Sequence, residues 1–463
     1  MIEFEAMLIP RITRRSLFLG SAVLHVGSRN GYASATNVSA IVGATVINGK
    51  GDAIRDSTVV WRGDRIETVG NARETPVPRG ARVLDGRRRF VVPGLWDMHV
   101  HLSVAKASSL SILLANGITT VRDMGGRLDE IDRWKAQIAA GSISGPRIFR
   151  AGPIVNAKVF NELQIAVEDR REAHGAVRAL HAAGVDFIKV HAAMSRDAYV
   201  GVKEECDRLA IRFAGHLPRA IAPSEASDAK QASVEHLYTL FEGTLIQGLE
   251  PSQVAGFIHR FRSQGAPELF ARFAQSGVAL TPTLGIDHAS QHLLDEQPPN
   301  AVRYNSLAAR KATQFMRARY RDLFTRDYLD RQKRLLAESL PLIPMMQSAG
   351  VSILAGTDMG SSLLQPGFSL HQELAHLVDA GLSPMNAILS ATRNPAQCLS
   401  QPDLGVIENG KVADLVILTA DPLLDIRNTQ QIHAVVSGGR IFDRRALDAI
   451  LTSAQQAAQN EGA

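Results

Sequence analysis

Between residues 93 and 402, short apolar runs alternate with stretches whose apolar residues recur every three to four positions. The short runs fall at 95–101, 119–123, 147–151, 187–191, 212–216, 233–236, 279–283 and 352–358. Apolar runs of that length read as strands buried on both faces, and the periodic stretches between them as helices. Eight such strands predict an α/β chain folded as a parallel (β/α)₈ barrel. Residues 285–350, between the seventh and eighth runs, exceed one helix, and 301–324 and 327–347 within them have helical composition rich in Arg. An insertion there lies beside the carboxyl-end face of the barrel, as a solvated helical hairpin or as a substrate lid.

The two ends of the chain have a different texture. Short β segments at 40–47, 57–62, 65–69 and 82–84 are separated by turn signals such as Asn48-Gly49 and Arg62-Gly63-Asp64. The pattern returns at 405–407, 413–418 and 433–437, before Gly438-Gly439. Residues 36–92 and 403–445 are therefore expected to build one small β-sandwich beside a barrel of 93–402.

Before residue 36 stands Thr13-Arg14-Arg15-Ser16-Leu17-Phe18-Leu19, then a weakly apolar stretch, then Ala33-Ser34-Ala35. The order basic, apolar, small is that of a twin-arginine export signal over 1–35, as against an amphipathic helix end that carries two arginines. The expectation is a mature chain starting near Thr36 in the periplasm or outside the cell. The formal net charge is +5, and the four Arg and two Glu of residues 1–35 account for part of it. With no basic tail or aromatic-interleaved basic stripe, nucleic acid is not an expected partner. No later apolar run is long enough for a membrane anchor. Association into a homo-oligomer is left open. The two cysteines, Cys206 and Cys398, are too few for a disulfide framework and read as buried thiols.

The polar residues within the apolar runs carry the chemistry. His99 and His101 are two apart on one strand, so both imidazoles face the same way and form half of a metal site. An isolated His-x-His is more often a structural pair. Lys189 sits inside Phe187-Ile188-Lys189-Val190, where a bare ammonium is costly to bury. His216, His236 and Asp358 each end a different predicted strand, on the face where barrel enzymes keep their active sites. One polar residue ending an apolar run is ordinary. Six metal-competent residues converging on one face are not. Four further residues are candidate substrate contacts, each with a plainer alternative. Arg122 ends the second strand and is equally placed for an ion pair with Asp123. Tyr238 follows His236 by two and is otherwise a loop tyrosine. His191 shares the strand face of Lys189. His371 lies where a glycine-bearing loop enters a helix and is otherwise a helix cap.

Val92-Pro93-Gly94-Leu95-Trp96-Asp97-Met98-His99-Val100-His101 resembles the opening signature of the amidohydrolase superfamily. FIKVHAAMSRDAY (187–199), FAGHLP (213–218), SVEHL (233–237), AGTD (355–358), ATRNPAQCL (391–399) and GVIENGKVADLVIL (405–418) resemble its imidazolonepropionase-like and prolidase-like branch. The resemblance spans about residues 40 to 440 and implies a distorted (β/α)₈ TIM barrel with a terminal β-sandwich. It implies two divalent metal ions, zinc foremost. One would sit on His99, His101 and Asp358 and the other on His216 and His236, with Lys189 bridging both as N6-carboxylysine. The implied reaction is attack of a metal-activated hydroxide on an amide or peptide carbonyl, with Asp358 as catalytic base and then acid. The implied substrate is a small molecule or short peptide, a dipeptide or an N-acyl amino acid. Its free carboxylate would pair with Arg303, Arg310, Arg317, Arg319 or Arg321 of the insertion.

Neighbouring functions differ in identifiable ways. Deaminases of the superfamily carry a His-x-x-Glu after the fifth strand, whereas His216 is followed by Leu217, Pro218 and Arg219. Imidazolonepropionase itself is disfavoured by the export signal and by Lys189. A lactone or phosphotriester hydrolase would use the same two-metal centre. A metal-free binding or scaffold protein would have lost ligands, and none is lost.

Overall fold

The Asn48-Gly49 and Arg62-Gly63-Asp64 turns join three antiparallel strands, β1 (Val38–Ile47), β2 (Ala53–Arg62) and β3 (Arg65–Asn71). Two short strands, β4 (Arg82–Asp85) and β5 (Phe90–Pro93), run parallel to β1. The computed structural model describes residues 38–293 apart from 160, and 303–460 apart from 323, 361 and 362. The twin-arginine segment 1–35 lies outside the described residues.

From β5 the chain enters the barrel. Strands β6 (Leu95–Val100), β7 (Ile118–Asp123) and β8 (Arg147–Arg150) form one parallel arc. A second arc contains β9 (Ile154–Asn156), β10 (Gln164–Ala166), β11 (Ile188–Val190), β12 (Phe213–Gly215), β13 (Ser233–Glu235) and β14 (Ala279–Thr281), in the order β10-β9-β11-β12-β13-β14. The arcs meet where the Asp186 amide, just before β11, donates to the Arg150 carbonyl of β8 at 2.9 Å, and within the second arc Val190 of β11 pairs with Val155 of β9. They close on the other side through residues 352–358. There the Leu354 amide donates to Leu280 (2.8 Å), Met98 to Ala355 (2.9 Å) and Asp358 to His99 (2.8 Å).

The barrel is thus present, with its eighth member altered. Residues 352–358 are not a continuous strand, because their amides are diverted. The Ala355 amide goes to the Ser390 carbonyl, and the Thr357 amide to the side chain of Asp97. Gly356 permits the closure, since a Cβ there would lie 2.9 Å from the His99 amide nitrogen.

The outer helices follow their apolar periodicity. Arg170–Ala182 buries Ala173, Ala176, Val177 and Leu180 at spacings of three and four, and Asp169 caps it by accepting from the Glu172 amide at 2.8 Å. Full burial of a side chain such as Val177 or Leu180 contributes about 1.5–3 kcal/mol.

Strands β15 (Leu415–Leu418), β16 (Ile432–Ser437) and β17 (Arg440–Asp443) return to pair on β5. Their period-two alternation divides two cores. Leu415, Ile417, Ala434 and Val436 pack with Ile41 and Trp61 inside the β domain, while Val416, Leu418 and Val435 join the barrel core. Instead of two separate sheets, all eight strands of the β domain belong to one. It folds back on itself where the Ile66 amide donates to Lys411 at 2.8 Å. The strand expected at 405–407 is absent: that segment is held to the sheet by one bond, from the Ile407 amide to Asn48. Beyond 445 the chain continues as a helix, Arg444–Asn460, against the helix Ser108–Ala115.

The insertion carries helices Leu284–Ser290, Leu307–Tyr320, Arg326–Ser339 and Leu342–Ser348. Among the described residues no helix is long and apolar enough to cross a membrane.

Candidate active site

Five imidazoles run across the carboxyl ends of the barrel strands. Ring centroids are 5.4 Å apart for His101 and His99, 4.7 Å for His99 and His236, 4.5 Å for His236 and His216, and 4.1 Å for His216 and His191. All five side chains are buried. Three positive-φ residues that are not glycine lie here: His236 (φ +65°), Thr283 (φ +51°) and Asp358 (φ +63°). Each costs of order 1–3 kcal/mol, and such strain persists where the surroundings over-determine it.

Hydrogen bonds at Nδ1 set the direction of three rings. His99 Nδ1 is 2.9 Å from Glu235 Oε2, an acceptor, so Nδ1 carries the proton and Nε2 the lone pair. His101 Nδ1 is 3.1 Å from the Gly125 carbonyl, with the same consequence. His236 Nδ1 is 2.7 Å from Thr283 Oγ1, whose own proton goes to the Pro282 carbonyl. The Nε2 lone pairs of all three are therefore the ones available to a cation.

Asp358 Oδ1 lies 3.3 Å from His101 Nε2 and 3.5 Å from His99 Nε2. One ligand atom from each of His99, His101 and Asp358 lies within 4.8 Å of the other two. Two donors each about 2.1 Å from one ion in a tetrahedron stand roughly 3.4 Å apart, so these three fit a divalent cation. His216 and His236 adjoin this group, and His191 stands behind His216. Lys189 is fully buried on β11, two residues before His191, with β12 between its strand and the β13 strand that carries Glu235.

Glu235 and Asp97 are the supporting residues that sequence reasoning missed. Both are fully buried. Glu235 binds His99, accepts from Arg122 Nη2 at 2.7 Å and takes the Ser233 hydroxyl. Burial would raise its pKa, but the Arg122 charge and the His99 contact outweigh this and hold it below the ordinary range. Asp97 binds the Thr357 hydroxyl at 2.7 Å and its amide at 3.0 Å, and burial pushes its pKa up to about 6. The polar alternation Ser233, Glu235 across Val234 was the available signal for an inward acid. Glu235→Gln leaves the buried Arg122 guanidinium without its anion, with an expected destabilisation of about 3–5 kcal/mol. Loss of the anchored His99 ring should also weaken metal affinity about 10–100-fold. Denaturant unfolding and a chelator competition measure the two effects, and an unchanged affinity would contradict the role given to Glu235.

Two of the expected substrate contacts lie elsewhere. Arg122 is fully buried inside the barrel over the Phe187 ring, and donates to the Met98 carbonyl (2.7 Å), Ser233 (2.8 Å) and Glu235. It is a tie between strands. His371 is buried in the helix Phe368–Asp379, where Thr429 Oγ1 (2.9 Å) and the Asn116 carbonyl (3.1 Å) engage both ring nitrogens. Burial holds its pKa down at about 4 against the ordinary 6.5. The stability tied to its neutral form is complete above pH 6.5 and is lost as pH falls towards 4, on the order of 3 kcal/mol by linkage. Melting temperatures measured from pH 7.5 to 4.5 should fall more steeply for the wild type than for His371→Gln. Equal slopes would contradict this.

Tyr238 and His191 do reach the site. The Tyr238 ring stacks on His236 at 5.2 Å, and His191 Nδ1 lies 3.4 Å from Asn156 Nδ2. Tyr238 also lines a cavity of about 360 Å³ between the turn Leu237–Phe241, the helix Val254–Gln264 and the insertion helix Arg326–Ser339. Asp287, a second lining residue, is buried; burial and the charges of Glu242 and Asp358 push its pKa up to about 8. The cavity thus adjoins the centre at Tyr238. Of the insertion arginines expected to clamp a carboxylate, Arg303 lies over Tyr304 and Arg317 donates to the Leu293 carbonyl. Arg310 and Arg321 do not line the cavity, and the Arg319 side chain lies outside the described residues.

Comparison with known proteins gives a consistent picture. Residues 90–442 match the model of the amidohydrolase family. The chain is 24% identical over 452 residues to the ochratoxinase of Aspergillus niger, covering 88% of this chain and 86% of that one. It is 27% identical over 399 residues to the imidazolonepropionase of Aromatoleum aromaticum, covering 80% and 87%. The solved structure of a Xaa-Pro dipeptidase with bound methionine in the active site superposes with a TM-score of 0.66 at 21% identity, over 88% of this chain and all of that one.

Proposed function

The chain belongs to the amidohydrolase family, and from that premise we propose that it hydrolyses the C–N bond of a dipeptide or an N-acyl amino acid at a two-metal centre. The observation that carries the proposal is the set of three Nε2 atoms turned inward by Glu235, Gly125 and Thr283 beside Asp358. His99, His101 and Asp358 would hold one divalent ion and His216 and His236 a second. Lys189, fully buried, would suit the pair as a carbamate, which would supply an anion with two oxygens between the two groups of ligands. When bound, the metal supplies Lewis acidity and a water acidic enough to react near neutrality.

The remaining steps belong to the chain. Asp358 Oδ1 lies on the reacting face, where it takes the proton of the attacking water and returns it to the leaving nitrogen. Tyr238, stacked on His236, lines the cavity beside the centre and would donate its hydroxyl to the substrate carbonyl oxygen. His191 orders the far side of His216 and meets the acyl portion of the substrate. The burial of all five imidazoles excludes bulk water and strengthens each of these contacts. Membership of the amidohydrolase family and the likeness to a solved Xaa-Pro dipeptidase support the C–N assignment over the lactone and phosphotriester alternatives.

The test is turnover of a panel of dipeptides, N-acyl amino acids, lactones and phosphotriesters by the metal-loaded protein. Release of free amine from the first two classes is expected. Activity confined to lactones or phosphotriesters would overturn the assignment. Export through the twin-arginine route is part of the proposal, supported by Arg14-Arg15 and Ala33-Ser34-Ala35. Intact-mass analysis of exported protein should give a chain starting near Thr36, and retention of residues 1–35 would refute it.

A further inference from the structure

We propose that the cavity beside the centre receives the amino-acid side of the scissile bond, a residue with a bulky apolar side chain whose free carboxylate pairs with Arg331. This rests on the C–N hydrolase reading and gives it a specificity. Residues Tyr328, Arg331, Leu335, Leu336 and Ser339 line the cavity from one helix at spacings of three and four, so a single helical face forms the wall. Phe241, Val254 and Ile258 face it from the barrel side. The volume, about 360 Å³, falls at the low end of the range for small-molecule pockets, enough for one aromatic side chain and its carboxylate.

The wall is tied in place. Glu338, on the same helix, binds Arg262 at 2.9 Å and His259 at 3.1 Å on the helix Val254–Gln264. The lining carries two arginines, Arg219 and Arg331, and two acids, Glu242 and Asp287, and its ion pairing is uneven. Arg219 is matched by Glu242 at 3.4 Å. Among the described residues no carboxylate forms an ion pair with Arg331, whose guanidinium lies over the Tyr328 ring at 5.4 Å. A cation held against an aromatic face in a largely apolar cavity suits a carboxylate attached to an apolar group. Tyr238, whose ring stacks on His236, lines the same cavity as Arg331, so a ligand held by Arg331 occupies a space that borders the metal ligands.

Calorimetric binding to the metal-loaded protein tests this without turnover, using L-phenylalanine, L-phenylalaninamide and glycine as probes. The wild type should bind L-phenylalanine at least about tenfold more tightly than either of the other two, about 1.4 kcal/mol. Arg331→Gln should bring the acid-to-amide ratio to near one while leaving binding of the amide unchanged. Leu335→Trp, which fills the cavity, should abolish the preference for phenylalanine over glycine. Absence of either preference in the wild type, or a tenfold acid preference that survives in Arg331→Gln, overturns the proposal. A protein that shows these preferences but cleaves no amide keeps the pocket and loses the reaction. One that cleaves amides without them keeps the reaction and loses the pocket.

Discussion

Lys189→Ala is expected to hold fewer than two metal ions per chain and to lose about 10³-fold or more of its activity. On the proposed reading Lys189, as a carbamate, would supply the anion between the two groups of ligands. Two divalent ions left without a bridging anion repel each other, and the more weakly held ion, on His216 and His236, should leave first. The fold should persist, because β11 keeps its backbone pairing with β9 and β12 and alanine adds no polar group to the buried face. Short carboxylic acids added to the variant should restore part of the activity by supplying the missing oxygens. Elemental analysis and turnover on the same preparation check both effects. Full activity with two ions per chain in the variant would remove Lys189 from the centre.

Asp358→Asn is the second large effect. The amide has the shape of the carboxylate but cannot accept a proton, so kcat should fall about 10²–10⁴-fold. Asn is a suitable replacement, since it tolerates the left-handed conformation observed at this position, φ +63°. The first ion should also bind more weakly, which calls for measurement at saturating metal. Under that condition a kcat within threefold or so of the wild type would show that the proton passes elsewhere.

Much of this architecture is legible in the sequence because burial on both faces leaves an unbroken apolar run. Strands β6 to β8 and β11 to β14 fall within runs visible that way, and the metal-competent residues stand where those runs end. What escaped has physical causes. Residues 352–358 look like a strand in composition, yet Asp97 and Ser390 take their amides. Strand β9 ends in the polar Asn156, and Lys158, Asn161 and Glu162 separate it from β10, so no apolar run marks either, and β5 ends at Pro93. Arg122 and His371 look like site residues by position alone. Their partners, Glu235, Ser233, Thr429 and Asn116, are 58 to 255 residues distant in the chain. Glu235 escaped for the converse reason: next to His236 it reads as part of a motif, whereas its oxygens face Arg122 and His99. Arg331 could not be told from the other arginines of the insertion until the helix face that lines the cavity was known.

The dependence of turnover on metal tests the central claim most directly. Protein stripped by a chelator is titrated with zinc while release of amine from an N-acyl amino acid is followed, and bound metal is counted at each point. Activity should be absent in the stripped protein and rise to a plateau at two ions per chain. Turnover by the metal-free protein, or a plateau at one ion per chain, would contradict a two-metal amidohydrolase centre.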